Sequence, residues 1–187
     1  MSGRIWFTAD THFGHGGALG LFKRPFGSVR EMDEGMIERW NARVAPGDLV
    51  WHLGDFGYRL AAGRVHELLQ ALNGTKRLVV GNNDDAAVVS APEWDAVTSY
   101  VEIEHESQFL VLCHYPFRSW NRMHKGAWNL HGHSHGRLSP LARQADVGVD
   151  VWAFEPIPLE RVLTGKRPQA ATDSSSRARV PERKRNS

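Results

Sequence analysis

The chain of 187 residues is 41% hydrophobic and 24% charged, the balance of one soluble domain that can bury a sizeable core. No apolar run approaches the ~20 residues that a bilayer requires, and the N-terminal apolar stretch is too short for a secretory signal, so a cytoplasmic protein without a membrane partner is expected. A single cysteine, Cys113, excludes an intrachain disulfide framework and a zinc cage built on thiolates. The net charge of +2 conceals an asymmetry: residues 164–187 carry seven Lys/Arg against two Asp/Glu, which leaves 16 against 19 for residues 1–163. The chain therefore reads as a folded body, 1–163, and a basic tail, 164–187. The tail's Ser and Pro content predicts disorder, and its charge allows weak contact with nucleic acid.

In chain order, residues 4–9 read as a strand running into Asp10. The spacing of Met32, Met36, Ile37 and Trp40 predicts a helix over 31–44, and 49–53 a buried strand ending at Gly54-Asp55. A second helix is predicted over 61–72, with Val65, Leu68, Leu69 and Leu72 on its apolar face. A strand at 76–80 then ends at Gly81-Asn82-Asn83-Asp84. Residues 97–104 and 109–113 read as a hairpin turning near Glu106-Ser107, and 128–131 and 147–151 as further strands. Alternating strands and helices predict a layered α/β domain.

The polar residues fall at the strand ends: Asp10-Thr11-His12, Gly54-Asp55, Gly81-Asn82-Asn83-Asp84, Cys113-His114 and Gly132-His133-Ser134-His135. Carboxyl ends of strands are where open α/β sheets bind ligands. Asp, Asn and His without a thiolate suit Mn²⁺, Fe²⁺ or Zn²⁺. Asp10 and His12 alternate along what is expected to be an extended segment, which would turn both side chains to one side, and His133 and His135 repeat that spacing. With Asp55, Asn82 and His114 the candidates number seven, too many for one tetrahedral ion and suited to a pair sharing a carboxylate.

The order Asp-x-His, Gly-Asp, Gly-Asn-x-Asp, His and Gly-His-x-His over residues 5–151 resembles the calcineurin-like metallophosphoesterase superfamily. More narrowly, Asp10-Thr11-His12-Phe13-Gly14-His15, Arg24-Pro25-Phe26, Trp40-Asn41, Leu53-Gly54-Asp55-Phe56 and His114-Tyr115-Pro116 are similar to its small single-domain bacterial and phage branch of predicted phosphoesterases. The resemblance implies that 1–163 is a catalytic domain built as a β-sandwich of two mixed sheets flanked by α-helices. It implies Asp10, His12 and His135 at one metal, Asn82, His114 and His133 at the second, and Asp55 bridging. The activity implied is hydrolysis of a phosphate ester by a metal-bridging hydroxide. Two divalent ions are expected, Mn²⁺ favoured, with Fe, Zn, Mg and Ni also compatible with these ligand types.

One position departs from the family pattern. The family commonly has His after Gly-Asn, where it serves the leaving oxygen, and this chain has Asn83. An amide donates a hydrogen bond but supplies no proton at neutral pH. Either His15 or His124 provides the proton, or the leaving group departs unaided, or the enzyme is slow. Relatives with Cys at this position resemble phosphodiesterases. A diester, such as a nucleotide or cyclic nucleotide, is therefore favoured over the substrate of a phosphomonoesterase or protein phosphatase. Asn83, His15 and Asp84 are the catalytic candidates, Asp84 reading more readily as orienting its neighbours. Arg24, Asn83 and His124 are the candidates for touching substrate. His52 reads as a core histidine, and Asp146 and Asp150 as residues behind the ligands or in turns. Two rivals stand against an enzyme: a catalytically silent scaffold of the same fold, which the seven intact ligand positions disfavour, and a nucleic-acid binder using the tail.

Overall fold

The structure, a computed structural model, describes residues 3–165. In chain order its elements are β1 (Ile5–Thr8), α1 (Gly16–Leu21), α2 (Val29–Arg43), β2 (Leu49–His52), α3 (Ala62–Ala71), β3 (Thr75–Val79) and α4 (Ala86–Val89). They continue with β4 (Trp94–Thr98), β5 (Val101–His105), β6 (Gln108–Leu112), β7 (Trp128–His131), β8 (Gln144–Asp146), β9 (Ile157–Pro158) and α5 (Leu159–Thr164). One sheet has the order β4-β3-β2-β1-β9, parallel except for β9; the other has the order β5-β6-β7-β8, parallel except for β5. Both sheets are mixed and helices flank them, the layered α/β arrangement expected.

Alternation along the strands builds the layers. In β1, β2 and β3 the residues Trp6, Val50 and Leu78 face the helices and pack with Met32, Met36 and Trp40 of α2 and with Val65, Leu68 and Leu69 of α3. Their neighbours Phe7, Trp51 and Val79 face the other way and meet Leu110, Leu112 and Leu130 of β6 and β7. The core between the sheets is thus made of every second residue. On the outer face of the second sheet, Val111 packs under Trp120 and Ala127. Ser28 caps α2 by accepting from the Glu31 N–H at 3.1 Å, and Glu31 reaches back to the Gly27 N–H at 2.7 Å, so the helix starts two residues earlier than its apolar stripe suggests.

Two expected strands are corrected. Residues 97–104 do not form one strand: Trp94–Thr98 joins the first sheet through β3, and Val101–His105 joins the second through β6, with the chain crossing between sheets at Ser99-Tyr100. Residues 147–151 are not a strand either. The strand of that region is β8, and Val149–Val151 is a short 3₁₀ turn. The tail beyond Gly165 lies outside the described residues, and Thr164 belongs to α5.

Candidate metal centre

The ligand-bearing loops are zipped together by backbone bonds where the strands end. Asp10 N–H donates to the Gly54 carbonyl (2.9 Å), His12 N–H to Asp55 (3.0 Å), and Gly132 N–H to His114 (3.0 Å). Asp10 and His12 share a side for a different reason from strand alternation. β1 ends at Thr8, and both residues adopt left-handed backbone, with φ of 58° and 50°. Asp55, His133 and His135 do the same (57°, 64° and 46°). Non-glycine residues seldom occupy this region, and five of them gathered at one place show that the surrounding structure holds the candidate ligands in it. Gly54, at φ 92°, is required outright: a Cβ there would lie 2.6 Å from the Gly81 nitrogen and 2.7 Å from His114 Nδ1.

Asp10, His12 and His135 bring one ligand atom each within 4.8 Å of one another, and so do Asp10, Asp55 and His114. Asp55 spans the two groups, its Oδ2 3.5 Å from His12 Nε2 and its Oδ1 3.6 Å from His114 Nε2. Asn82 Oδ1 lies 3.1 Å from His114 Nε2, and the His133 ring centre is 5.1 Å from that of His114. All seven expected ligand positions therefore converge on one place.

The hydrogen bonds behind these residues fix how each can donate. The Leu53 carbonyl, 2.8 Å from His114 Nδ1, can only accept, so Nδ1 carries the proton and Nε2 turns a lone pair to the site. Asp150, 2.7 Å from His135 Nδ1, does the same for His135. His114 Nε2 and Asn82 Oδ1 then face each other as two acceptors, an arrangement that a cation satisfies. His12 is buried, and neither of its ring nitrogens has a hydrogen-bond partner. Orphaned buried nitrogens, bare Nε2 atoms and hard oxygen donors fit divalent cations.

Electrostatics agree. Burial drives His12 down to about 3 and lowers His114 and His133, so all three are neutral imidazoles at physiological pH, the form that binds metal. Burial, reinforced by Asp146, holds Asp10 well above the usual carboxylate range. Burial also pushes Asp55 upward, but His114 and the hydrogen bonds from Asn83 (N–H 2.8 Å, Nδ2 2.6 Å) outweigh it and leave Asp55 ionised below its ordinary value.

Other expected site residues lie where their sequence neighbours did not announce. Arg24 is behind the centre, not facing substrate. It donates to the carbonyls of Asp10 and Thr11 at 2.7 Å each and grips Asp150 with two bonds of 2.9 Å, so its donors point inward. Asp84 accepts from the N–H groups of Asp55, Phe56 and Gly81, each at 2.8 Å, and so clamps two ligand loops together. Burial nonetheless raises its carboxyl to about 6. His124 is exposed on the 3₁₀ turn Met123–Lys125, whose Lys125 shares a groove with Ser107 and Phe109 near the start of β6; the centre lies beyond that strand's other end. His52 is buried in the core, 3.0 Å from the Thr11 hydroxyl that donates to the Phe56 carbonyl.

The centre opens into a 440 Å³ cleft that includes His15, Asn83, Phe22, Tyr58 and Arg137. Phe22 stacks on His135 (ring centres 3.5 Å apart) and Tyr58 on His15 (4.0 Å). Sequence reasoning missed Phe22, Tyr58 and Arg137; Arg137, two residues after Gly132-His133-Ser134-His135, and Tyr58, two after Leu53-Gly54-Asp55-Phe56, stood beside motifs that could have signalled them.

A two-sheet α/β sandwich with an Asp/Asn/His centre at its strand ends is the architecture of a metallophosphoesterase. The profile of the calcineurin-like phosphoesterases matches residues 3–160, and the chain belongs to that family. It is 30% identical to the Gene 66 protein of Mycobacterium phage D29, with 84% of this chain and 93% of that protein covered. It is 29% identical to the uncharacterised protein MJ1445 of Methanocaldococcus jannaschii, with 86% and 89% covered. In fold it is similar to AQ665 of Aquifex aeolicus, a protein of unknown function, at a TM-score of 0.67 and 22% identity, covering 87% of this chain and 98% of that one. The family is one of metal-dependent phosphoester hydrolases. Among the described residues no helix is long and apolar enough to cross a membrane.

Proposed function

We propose that the chain is a phosphodiesterase working with two divalent cations, Mn²⁺ favoured, on monoanionic diesters such as cyclic nucleotides or the internucleotide linkage. The observation that carries this reading is the pair of overlapping ligand groups, Asp10-His12-His135 and Asp10-Asp55-His114, with Asn82 and His133 completing the set. When bound, a pair of divalent cations activates water and neutralises charge on the phosphoryl group. The chain's own residues do the rest. Asp55 supplies a carboxylate held ionised, Asp10 a buried carboxyl that a cation would draw into its ionised form, and His12, His114 and His133 neutral imidazoles. Asp84, Asp150 and Arg24 hold those ligands in place and are positioning residues.

Two features favour a diester. The cleft includes one cationic side chain, Arg137, enough for a monoanion and sparse for the dianion of a monoester. Asn83 has one amide hydrogen committed to Asp55 and a second free for a phosphoryl oxygen. Burial and Arg24 lower the pKa of His15, so at neutral pH it is a neutral hydrogen-bond donor to the leaving oxygen, not a strong acid. Such a site suits leaving groups that depart with little help.

The test is hydrolysis of bis-p-nitrophenyl phosphate and p-nitrophenyl phosphate by metal-stripped protein given Mn²⁺, Mg²⁺, Zn²⁺ or nothing, beside Asp55→Asn. Metal-dependent cleavage of the diester, lost in Asp55→Asn, is the expected result. Preference for the monoester would overturn the diesterase assignment, and no turnover with any metal would leave the silent scaffold.

A further inference from the structure

Charge on this body is segregated. Residues 115–145 contain Arg118, Arg122, Lys125, Arg137 and Arg143 and not one Asp or Glu, while the rest of residues 1–163 holds 11 Lys/Arg against 19 Asp/Glu. All five cations of the acid-free stretch are exposed. Elsewhere Arg4, Arg24, Arg30, Arg43, Arg64 and Arg77 each pair with a carboxylate. Within the stretch only Arg122 does so among the described residues, loosely, at 3.5 Å from Glu104.

Three of these cations converge. Arg122, Lys125 and Arg143 line a 660 Å³ groove over Ser107, Gln108 and Phe109, with Glu104 its one acid. The groove is shaped in advance. The Arg122 guanidinium sits 4.2 Å from the centre of the Phe109 ring, and Arg122 and Arg143 both hold left-handed backbone (φ 56° and 58°). The same stretch ties the groove to the metal centre twice. It leaves the centre after His114, enters the groove at Arg122, returns along β7 to His133 and His135, and comes back to the groove at Arg143 after Arg137 at the cleft. Five residues, four of them in β7, separate Ala127 from His133, so the two places are at most about 20 Å apart.

We propose that this strip is a track for single-stranded nucleic acid, which lays its backbone phosphates along Arg143, Lys125 and Arg122 and presents one diester to the cleft at Arg137. A row of exposed cations with one loose carboxylate partner between them, reaching a proposed diester-cleaving centre, matches a repeating polyanion better than a small nucleotide. Exposed Tyr115, its ring 4.7 Å from that of His133, offers a base a surface to stack on beside the centre. The assignment of the strand as substrate rests on the phosphodiesterase reading; the binding groove does not.

The test uses the full chain, basic tail intact, and a fluorescein-labelled 20-nucleotide oligodeoxythymidylate read by anisotropy over a range of salt. Three single-strand contacts contribute about 2 to the salt slope and on the order of 100-fold in affinity at 0.1 M salt. Arg122→Gln/Lys125→Gln/Arg143→Gln should lose both and slow cleavage of the oligonucleotide, while hydrolysis of bis-p-nitrophenyl phosphate stays at the wild-type rate. Arg122→Lys/Arg143→Lys should keep the slope, which separates charge from any damage to the fold. An unchanged slope and affinity in the triple variant would overturn the groove. Poly-L-glutamate of matched charge binding as tightly, with the same sensitivity to the triple variant, would overturn nucleic acid in favour of an acidic protein. If no small diester is cleaved and the triple variant still loses the strand, the groove stands and the phosphodiesterase reading falls.

Discussion

Asp150 joins two buried groups that cannot manage without it. It accepts from His135 Nδ1 and holds the Arg24 guanidinium by two bonds, and the Arg24 side chain has no solvent exposure. Asp150→Ala strands that cation. Breaking a buried pair by removing one partner costs about 3–5 kcal/mol, against about 5–15 kcal/mol for a whole domain. At roughly 2–4 °C per kcal/mol for this size, the midpoint should fall by about 6–20 °C. The same change frees the His135 ring and should weaken Mn²⁺ binding by roughly 10–100-fold. Thermal unfolding of the metal-free protein followed by circular dichroism reads the first effect, and calorimetric titration with Mn²⁺ the second. Adding Arg24→Met removes the stranded charge, so the double variant should melt above Asp150→Ala, although the carbonyls of Asp10 and Thr11 lose their donor. A single variant that melts within about 2 °C of wild type would refute the stranding argument. Unchanged Mn²⁺ affinity in a destabilised variant would refute the orienting role for His135.

Thr11→Val leaves the Phe56 carbonyl and His52 Nε2 without their shared hydroxyl in a fully buried place; urea unfolding should show a loss of about 2–4 kcal/mol. Gly54→Ala drives a methyl into the Gly81 nitrogen and the His114 ring, and phosphoester hydrolysis, read with bis-p-nitrophenyl phosphate or p-nitrophenyl phosphate, should fall roughly 100-fold with the far-ultraviolet spectrum retained. Asp48 accepts from the N–H groups of Arg4 and Ala45 and from Trp6 Nε1. Burial pushes its pKa up, but these three bonds outweigh that and hold it below the ordinary 3.8. A depressed carboxyl stabilises above its unfolded value, and that contribution disappears as pH falls through the folded one. Asp48→Asn should therefore be less stable than wild type at pH 7, with the gap closing as pH drops below about 4; a constant gap down to pH 2.5 would contradict this.

The candidate ligands could be picked out because their chemistry and their punctuation coincide: Asp, Asn and His at strand ends, next to Gly54, Gly81 and Gly132. What the sequence did not show is how they are aimed. An extended Asp10-Thr11-His12 would have sufficed, yet the chain twists into left-handed backbone at both residues; Asp and His enter that region more readily than most side chains, but residue type alone does not single out these two positions. Arg24 was visible as an arginine in a turn, but its partner Asp150 lies 126 positions away, so only the fold reveals that it serves the ligands. Phe22 and Tyr58 are unremarkable aromatics until His135 and His15 are placed against them. The error at 97–104 has a similar origin: local β propensity continues across Ser99-Tyr100, and the choice of sheet for each half is made by β3 and β6, far from that run.

The left-handed backbone at Asp10, His12, Asp55, His133 and His135 also governs which replacements are possible. Alanine there would remove a donor and introduce a conformational penalty together, so an alanine scan would overstate what each ligand contributes. Asparagine tolerates the geometry and isolates the lost charge or nitrogen. The same bias channels mutational drift. A descendant released from any need to bind metal here should carry asparagine or glycine at these five places more often than alanine or valine, and its loops would keep their shape after the donors had gone.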